Sequence, residues 1–350
     1  MTPERFACFK FREKTLRPLI AVLLLAIPAT AADKLVTFAT GLHDPFGMDF
    51  LDGRVVLAEA GANRIVRLDE TGKTAVLAGS GQKGFRDGVG ETAEFSQPHN
   101  LAVAPDGNIY VADTMNHRVR KLDSKTRAVT TIAGGEKGFA GDGGPAKDAR
   151  FDQAYHVALD AGAKNLYVCD LGNRRIRKID LATGTIATVA GNGKRGVPED
   201  GAVATHAPLV DPRAVAVDKA GRLWILERSG NTLRVVENGK VRTVAGSGEK
   251  GYGGDGGPAL QAKMDGPKFL CIDPAGDVLI ADTENHCVRK YSVQAGTINR
   301  VAGTAKKGKD GVGGPATDVS LSRPHGVALG PDGAMYISDS DNGRVLKTAK

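Results

Sequence analysis

Cysteine is scarce in this sequence, with 4 among 350 residues, and no two form a Cys-x-x-Cys pair. This argues against a zinc ribbon or a thioredoxin-like redox motif. Cys8 lies in a basic and apolar N-terminal segment. The rest of the chain contains three cysteines, an odd number: Cys169, Cys271 and Cys287. We expect a third strand to separate the strands that carry Cys271 and Cys287. Two strand spacings of about 4.8 Å exceed disulfide reach, so no disulfide is predicted between them.

Several motifs of catalysis and nucleotide binding are also absent. The chain has no Gly-x-Ser-x-Gly elbow, no Ser-His-Asp order and no Gly-Lys-Ser/Thr that opens a helix. Long apolar runs are missing too, since Leu19–Ile27 is shorter than the roughly 20 residues that cross a bilayer. These absences argue against a serine hydrolase, a P-loop protein and a membrane-spanning chain.

The apolar run lies in a segment typical of a secretory signal. Five basic residues precede it, Pro28 follows it, and residues 29–31 (Ala-Thr-Ala) offer a cleavage site. We predict that residues 1–31 are a signal peptide and that the mature chain begins at Ala32 or Asp33. The protein would then be secreted or periplasmic, with no membrane span after cleavage. An uncleaved membrane anchor is the alternative.

The positive net charge does not indicate a nucleic-acid partner. Residues 1–31 contain five basic and two acidic residues, so their removal lowers the formal net charge from +7 to +4. The remaining basic residues are scattered, whereas a nucleic-acid interface gathers them into a patch or stripe. We therefore predict that no nucleic acid is bound.

Glycine, in contrast, is abundant, and its 46 residues mark turns between short strands. A unit of about 57 residues recurs, and its clearest part is an apolar run that ends in an acid. The acid recurs after 54, 57, 57, 55 and 57 residues, a regularity that indicates a propeller or a solenoid. The six copies are 55–59, 109–113, 166–170, 223–227, 278–282 and 335–339.

The second unit reads as four short strands joined by turns, with strand a at 101–103, strand b at 109–112, strand c at 118–122 and strand d at 129–133. Strand b is apolar throughout, as expected for a strand buried on both faces between neighbouring sheets. No unit shows a helical period. The sequence therefore predicts an all-β protein, a six-bladed β-propeller of four-stranded antiparallel blades.

Blade six lacks a strand d, because the chain stops at Lys350. Residues 35–39 have the same pattern as 129–133, so we predict that this N-terminal strand closes the last blade and covers its edge. The propeller would span 32–350. The predicted blades are 43–96, 97–153, 154–211, 212–266, 267–323, and 324–350 plus 33–41.

Two segments of the repeat carry a family resemblance. Residues 113–121 (Asp-Thr-Met-Asn-His-Arg-Val-Arg-Lys) and 282–290 resemble the NHL repeat, named for Asn-His-Leu. The linkers 138–146 and 251–259 share Gly-Asp-Gly-Gly-Pro-Ala and are similar to those of secreted bacterial NHL proteins and of teneurins. The resemblance implies the propeller fold. It says little about function, because propellers host many activities.

In antiparallel blades, the start of strand a, the end of b, the start of c and the end of d lie on one face with the long d-to-a linkers. We call this the linker face.

The first residues of strand a form a ring at the channel that is cationic and aromatic and has no acid. Such a ring would suit a small anion or carboxylate, and side chains that merely fill the channel are the alternative. The ring consists of Phe46, His99, Tyr155, Arg213, Lys268 and His325, with His156 one place further on.

Histidines around a channel can also bind zinc. Secreted peptidyl-hydroxyglycine lyases, which are similar NHL propellers, use Pro-His segments of alternating blades in this way. His99 and His325 match that pattern, but the third position is Arg213, which cannot ligate zinc, and His156 would serve only with a shifted register. Gluconolactonase-like propellers use an early Glu with later Asn and Asp, and segment 43–47 lacks the Glu.

The acids that end strand b are interpreted as structural, each accepting N–H bonds from the turn that follows. In blades four and five, Thr232 and Cys287 stand where the other blades have an arginine, so those blades are predicted to lack an acid–arginine pair. Asp142 and Asp255 in the linkers could contribute to calcium sites, with turn formation as the alternative. The predicted arginine partners are Arg64, Arg118, Arg175 and Arg344.

Together these patterns favour a monomeric binding or protein-interaction module with no cofactor and no assigned catalytic residue. Its partner would be a protein, a peptide or a small anionic ligand. The alternative is a metal-dependent lyase or hydrolase of the peptidyl-hydroxyglycine lyase or gluconolactonase type, with zinc or calcium bound.

Overall fold

In the computed structural model of the protein, six antiparallel β-sheets surround a central channel. The structure describes Met1 and residues 33–349. Apart from Met1, the predicted signal peptide lies outside the described residues. Asp33–Lys350 forms one compact unit. Within the described part of the chain, no helix has the length and apolar character needed to cross a membrane.

The first three blades follow each other along the chain. Blade one contains β2 (Pro45–Leu51), β3 (Arg54–Glu59), β4 (Arg64–Leu68) and β5 (Thr74–Ala78). Blade two contains β7 (Pro98–Val103), β8 (Asn108–Asp113), β9 (Arg118–Asp123) and β10 (Ala128–Gly134), with the two-residue linker strand β6 (Gly88–Val89) added outside β10. Blade three contains β11 (Ala154–Leu159), β12 (Asn165–Asp170), β13 (Arg175–Asp180) and β14 (Ile186–Ala190).

The remaining blades repeat this order. Blade four contains β15 (Pro212–Val217), β16 (Leu223–Glu227), β17 (Thr232–Glu237) and β18 (Lys240–Ala245). Blade five contains β19 (Phe269–Ile272), β20 (Val278–Asp282), β21 (Cys287–Ser292) and β22 (Thr297–Ala302). Blade six contains β23 (Pro324–Leu329), β24 (Met335–Asp339), β25 (Arg344–Ala349) and β1 (Lys34–Thr40). Short 3-10 turns lie at Gly90–Thr92, Thr114–Asn116, Ala146–Asp148, Ala259–Gln261, Thr283–Asn285, Ala316–Asp318 and Ser340–Asn342.

The N-terminal strand closes the ring as predicted. β1 pairs antiparallel with β25, from Lys34 opposite Ala349 to Thr40 opposite Arg344. Leu35 is fully buried in the core between blades five and six. The predicted six-bladed fold is therefore confirmed, and the added strand β6 in blade two is the one feature beyond four strands a blade in residues 33–349.

Separate hydrophobic cores lie between successive blades, and strand b contributes to two of them. In blade two, Ile109 and Val111 pack in the core shared with blade one. Tyr110 and Ala112 pack in the core shared with blade three. The alternation of side chains along a strand explains this division. The continuous apolar run of strand b thus reflects burial on both faces, as the sequence indicated.

The acid that ends each strand b is fully buried and fixes the corner of its blade. It accepts a backbone N–H from just before strand a, as in the 2.8 Å bond from Ser96 N to Asp113 Oδ1. The predicted N–H donor, the turn after strand b, is wrong. In blades two, three, five and six that turn supplies an amide side chain instead, as where Asn116 Nδ2 donates to Asp113 Oδ2 at 2.8 Å. The acids are structural, as expected.

The predicted arginine partners are correct in blades one and six, where Arg64 and Arg344 donate to the acid. In the other blades the prediction is wrong, because the partner lies two residues further along strand c. Both positions point to the same side of the strand, and the second is the buried one. Arg118, for example, donates to the Asn116 carbonyl. Blades four and five therefore do have a pair. The buried partners are Arg120, Arg177, Arg234 and Arg289.

The described cysteines are free. Strand β20 lies between β19, which carries Cys271, and β21, which carries Cys287. The separation expected from the sequence is therefore present. Cys169 and Cys287 are fully buried, as small apolar residues of the blade cores would be.

Candidate functional site

Strand a begins with a β-bulge, and this bulge directs the ring residues into the channel. In blade two, Pro98 pairs with Asp113 and Asn100 pairs with Ala112, so His99 is the extra residue. The same register shift occurs at the equivalent position in blades one, three, four and six. A bulge interrupts the alternation of a strand and re-aims a side chain. All six predicted ring side chains line one small space on the channel axis.

The aromatic side of the ring is continuous. The Phe46 ring stacks on His325 at 4.2 Å between centroids and lies 5.0 Å from His99. His99 in turn meets Tyr155 edge to face at 4.6 Å. The space left among the ring residues is about 10 Å³, roughly the size needed for one water molecule. The ring therefore nearly closes the channel at the linker face.

The cationic side of the ring contains a buried arginine without a counter-ion. The Arg213 guanidinium lies 3.8 Å from the centre of the Tyr155 ring, in a cation–π contact. Arg213 is 6% exposed, and its Nε has no hydrogen-bond partner. Among residues 33–349 its side chain forms no salt bridge within 4.0 Å. Burial lowers the pKa of Arg213 to about 10, so the group is still charged at neutral pH.

The six ring positions hold no acid, as predicted, but Glu284 reaches one of them, Lys268, from the turn Thr283–Asn285. Lys268 Nζ donates to Glu284 Oε1 at 2.7 Å and lies 3.2 Å from His325 Nε2. Arg323 Nη2 donates to the same carboxylate oxygen at 3.0 Å. Glu284 is thus shared by two cations, so the three groups together keep one positive charge, and Arg213 has no carboxylate partner.

Local electrostatics keeps these groups in defined charge states. Burial lowers the pKa of Lys268 to about 8, although the hydrogen bond to Glu284 opposes this shift. Partial burial disfavours ionised Glu284, but its bonds from Arg323 and Lys268 outweigh that effect and lower its pKa to about 2. Burial, followed by the charge of Lys268, lowers the pKa of His325 well below its usual value, so that imidazole is neutral.

Sequence reasoning missed Glu284 and Arg323, although one signal was available. Glu284 is the second residue of the turn after strand b, where blade two has Met115 and blade six has Asp341. That turn was already assigned to the linker face. The reach of a glutamate from there into the channel depends on its rotamer, which spacing does not reveal.

His156 lies one level deeper than the ring. Its imidazole meets the Phe269 ring at 4.8 Å and lines both the small space within the ring and the channel beyond it. It is 5% exposed, and neither ring nitrogen has a hydrogen-bond partner. No register shift brings it into the ring, because the bulge of blade three leaves Tyr155 there instead.

The three histidines near the channel do not converge on one point. Phe46 stands between His99 and His325, and His156 faces Phe269. Within residues 33–349, no three His, Cys, Asp or Glu side chains are grouped to hold a metal ion. The zinc arrangement of the alternating-blade type therefore does not fit these residues.

The linker acids considered for calcium bind arginine instead. Asp142 lies 2.7 Å from Arg177 and Asp255 lies 2.8 Å from Arg289, so each fastens its linker to the blade. The aromatic residue of the same linker packs over these guanidinium groups and is still 42% exposed in the case of Phe139. The linkers thus form a rigid, partly aromatic rim around the ring.

The fold and the ring define a class of protein: a six-bladed propeller whose channel is nearly closed by side chains on one face. The NHL repeat model matches residues 95–122, 264–291 and 321–347. The first two ranges include the segments of blades two and five that resembled the repeat, and the third adds blade six. NHL repeats are therefore present in this six-bladed β-propeller, which confirms the predicted resemblance.

Two groups of relatives share this repeat. NHL repeat-containing protein 2 from Bos taurus is 25% identical over 331 residues, which cover 85% of this chain and 45% of the relative. Teneurin-3 from Mus musculus is 27% identical over 276 residues, which cover 71% of this chain and 10% of the relative. The chain therefore spans less than half the length of either relative.

Solved structures share the fold at low identity. An auxiliary nutrient binding protein from Bacteroides ovatus superposes with a TM-score of 0.65 and 15% identity, covering 91% of this chain and 77% of that one. Virginiamycin B lyase from Staphylococcus aureus superposes with a TM-score of 0.55 and 13% identity, covering 91% of this chain and 99% of that one. Both likenesses concern the fold alone.

Proposed function

We propose that this propeller is a binding module that holds the carboxylate of a ligand or peptide end at the ring on its linker face. Arg213 carries the proposal, because it is a buried guanidinium with no carboxylate partner among residues 33–349. Leaving a charge buried and unpaired costs several kcal/mol, whereas a bound carboxylate would accept a charge-assisted hydrogen bond from the guanidinium.

The shape of the ring fits a terminal anionic group. The space of about 10 Å³ admits one oxygen atom, so the body of the ligand would rest among the linkers. Lys268 and Arg323 add positive charge at the rim, and the half-exposed aromatic rings of Phe139 and Tyr252 offer apolar contact around it. A nutrient-binding role in a propeller of the same fold is consistent with a module of this kind.

Arg213→Met tests the proposal, because it removes the charge and keeps an unbranched apolar chain. The probe is N-acetyl-Ala-Ala with a free carboxylate, compared with its C-terminal amide by isothermal titration calorimetry. We expect the acid to bind, the amide to bind at least tenfold more weakly, and the variant to lose at least tenfold in affinity for the acid. The melting temperature should not fall, since an unpaired buried charge is removed.

The control is Arg242→Met, at an exposed position of β18. Equal affinity for acid and amide, or no binding of the acid by the wild type, would refute the carboxylate site. Binding that survives Arg213→Met but is lost in Phe139→Ala or Tyr252→Ala would assign recognition to the linker rim instead.

We also propose that the protein is exported and acts in the periplasm or outside the cell. The folded unit begins at Asp33 and β1 begins at Lys34, so cleavage after residue 31 would leave all six blades intact. Mass spectrometry of the protein recovered from a periplasmic or culture fraction should show an N-terminus at Ala32 or Asp33. An intact Met1 in that fraction would contradict cleavage.

A further inference from the structure

Beyond the ring, the channel is open toward the opposite face of the propeller. A cavity of about 380 Å³ is lined by strand a of all six blades. It shares four lining residues with a recess of about 700 Å³ among the a-to-b turns: Leu159, Val217, Ile272 and Leu329. Pockets for small organic ligands have volumes of roughly 300–1,000 Å³. The channel therefore has a ligand-sized interior whose mouth is on the face away from the proposed carboxylate site.

The inner end of this cavity presents one buried polar group with unused bonding capacity. His156 lines the channel just below the ring, and both of its nitrogens lack a partner. Two other residues of the wall use side-chain oxygens to bind the neighbouring blade. Asn100 Oδ1 accepts the Val157 N–H at 2.8 Å, and Asp49 Oδ2 accepts the Val103 N–H at 2.7 Å. A buried polar group is normally paired, so His156 indicates a partner that comes from outside the blades.

The charge states of the wall restrict what that partner can be. Burial, followed by the nearby charge of Arg213, lowers the pKa of His156 to about 3, so the imidazole is neutral with one donor and one acceptor. Burial raises the pKa of Cys271 to about 12, so this thiol is neutral as well. Burial raises the pKa of Asp49, opposed by its N–H bonds from Val103 and Phe50, so this side chain offers no positive charge to an anionic ligand either. Between these groups the lining is mostly aliphatic.

We infer that the channel binds a slender, uncharged ligand with an apolar body and a hydroxyl head, and that the head bonds to His156. A hydroxyl both donates and accepts, which matches a neutral imidazole. The ligand enters from the face of the a-to-b turns, and its apolar body packs along Leu159 and Val217. This site opens on the opposite face from the carboxylate site and meets it at His156, and its ligand is uncharged rather than anionic.

The test titrates the full chain with 1-octanol and follows the ¹⁵N-labelled imidazole signals by NMR. We expect one histidine, identified by its loss in His156→Leu, to shift with saturating behaviour. Octanoate should bind at least tenfold more weakly, because it is charged. His156→Leu should fold normally and bind octanol at least tenfold more weakly, whereas His206→Leu, at an exposed histidine, should behave as the wild type.

A second variant covers the case in which His156→Leu does not fold. Leu159→Trp fills the passage between cavity and recess without altering His156, and it should also abolish the octanol-induced shift. Three results would overturn the inference: octanol affinity unchanged in His156→Leu, octanoate binding as strongly as octanol, or no shift of any histidine up to the solubility of octanol. The last result would mean that the channel holds only water.

Discussion

At the scale of single residues, the ring combines cations that lose their charge at different pH. Lys268 has a pKa of about 8, lowered by burial from the usual 10.5, whereas burial leaves Arg213 with a pKa of about 10. Below pH 8 Lys268 and Arg213 are both mostly protonated, and between about pH 8 and 9 only Arg213 remains mostly charged. The pH of an experiment therefore decides how many cations a ligand meets.

This difference predicts a pH dependence of carboxylate binding. The affinity for N-acetyl-Ala-Ala should be highest below pH 8 and should fall several-fold between pH 7 and 9.5, as Lys268 deprotonates. Lys268→Met should bind more weakly at pH 7 and show a nearly flat profile to pH 9. Lys240→Met, at an exposed position of β18, serves as the control. A Lys268→Met variant that retains the wild-type profile would assign the dependence to another group.

At the scale of the element, the Asn-His pair that resembles the NHL repeat has a structural role within the blade. Asn116 Nδ2 binds the buried acid of its own blade and the Gly84 carbonyl, both at 2.8 Å. His117 adopts the left-handed region with φ of 54°, and its Nδ1 accepts the Gln153 N–H of the next linker. The Asn-His pair therefore clamps a turn to its linkers. It takes no part in the ring.

The buried acid–arginine pair gives a prediction at this scale. Arg234→Leu should leave the fully buried carboxylate of Glu227 without its charge partner and destabilise the protein by about 3–5 kcal/mol. Arg242→Leu, on the exposed side of the neighbouring strand, should change stability by no more than about 0.5 kcal/mol. Urea unfolding of both variants measures the difference. Equal midpoints would show that the pair is dispensable.

The same pair shows how far the sequence could be taken. The number of blades, the position of strand b and the closing strand could be predicted from periodic patterns. These patterns recur because every blade is buried on both faces. The choice between Arg118 and Arg120 has no such pattern, because both project from the same side of β9. Blades four and five indicate the correct position, because their only arginine in strand c is equivalent to Arg120: Arg234 in blade four and Arg289 in blade five.

The candidate site was predictable in position and less so in chemistry. The ring followed from the geometry of strand a, so its six members could be named. The carboxylate of Glu284 and the unpaired state of Arg213 depend on side-chain reach from other elements. Closure of the ring to about 10 Å³ depends on how aromatic rings pack, which requires coordinates.

At the scale of the whole molecule, stability depends on one strand that joins the two ends of the chain. Leu35 in β1 is fully buried between blades five and six, while Thr37 of the same strand is exposed. Removing β1 would uncover the edge of β25 and the adjoining core, and an open edge promotes aggregation.

Deletion of residues 34–40 tests this dependence. We expect the deleted protein to form oligomers or aggregates in size-exclusion chromatography with light scattering. Leu35→Ala should lower the free energy of unfolding by about 2–5 kcal/mol through cavity formation. Thr37→Ala should have little effect and is the matched control. A deletion variant that remains monomeric with unchanged melting would refute closure by β1.

Closure by β1 also has a consequence in time. Thr40 pairs with Arg344, which the ribosome adds 304 residues later. At about 5–20 residues per second, roughly 15–60 s separate the synthesis of the two partners. For that interval the first strand of the protein has no neighbour to pair with, and blade one lacks one of the two blades that bury it. The propeller therefore cannot finish folding while its chain is being made, and whatever receives the nascent N-terminus must keep an unpaired β-strand from pairing elsewhere.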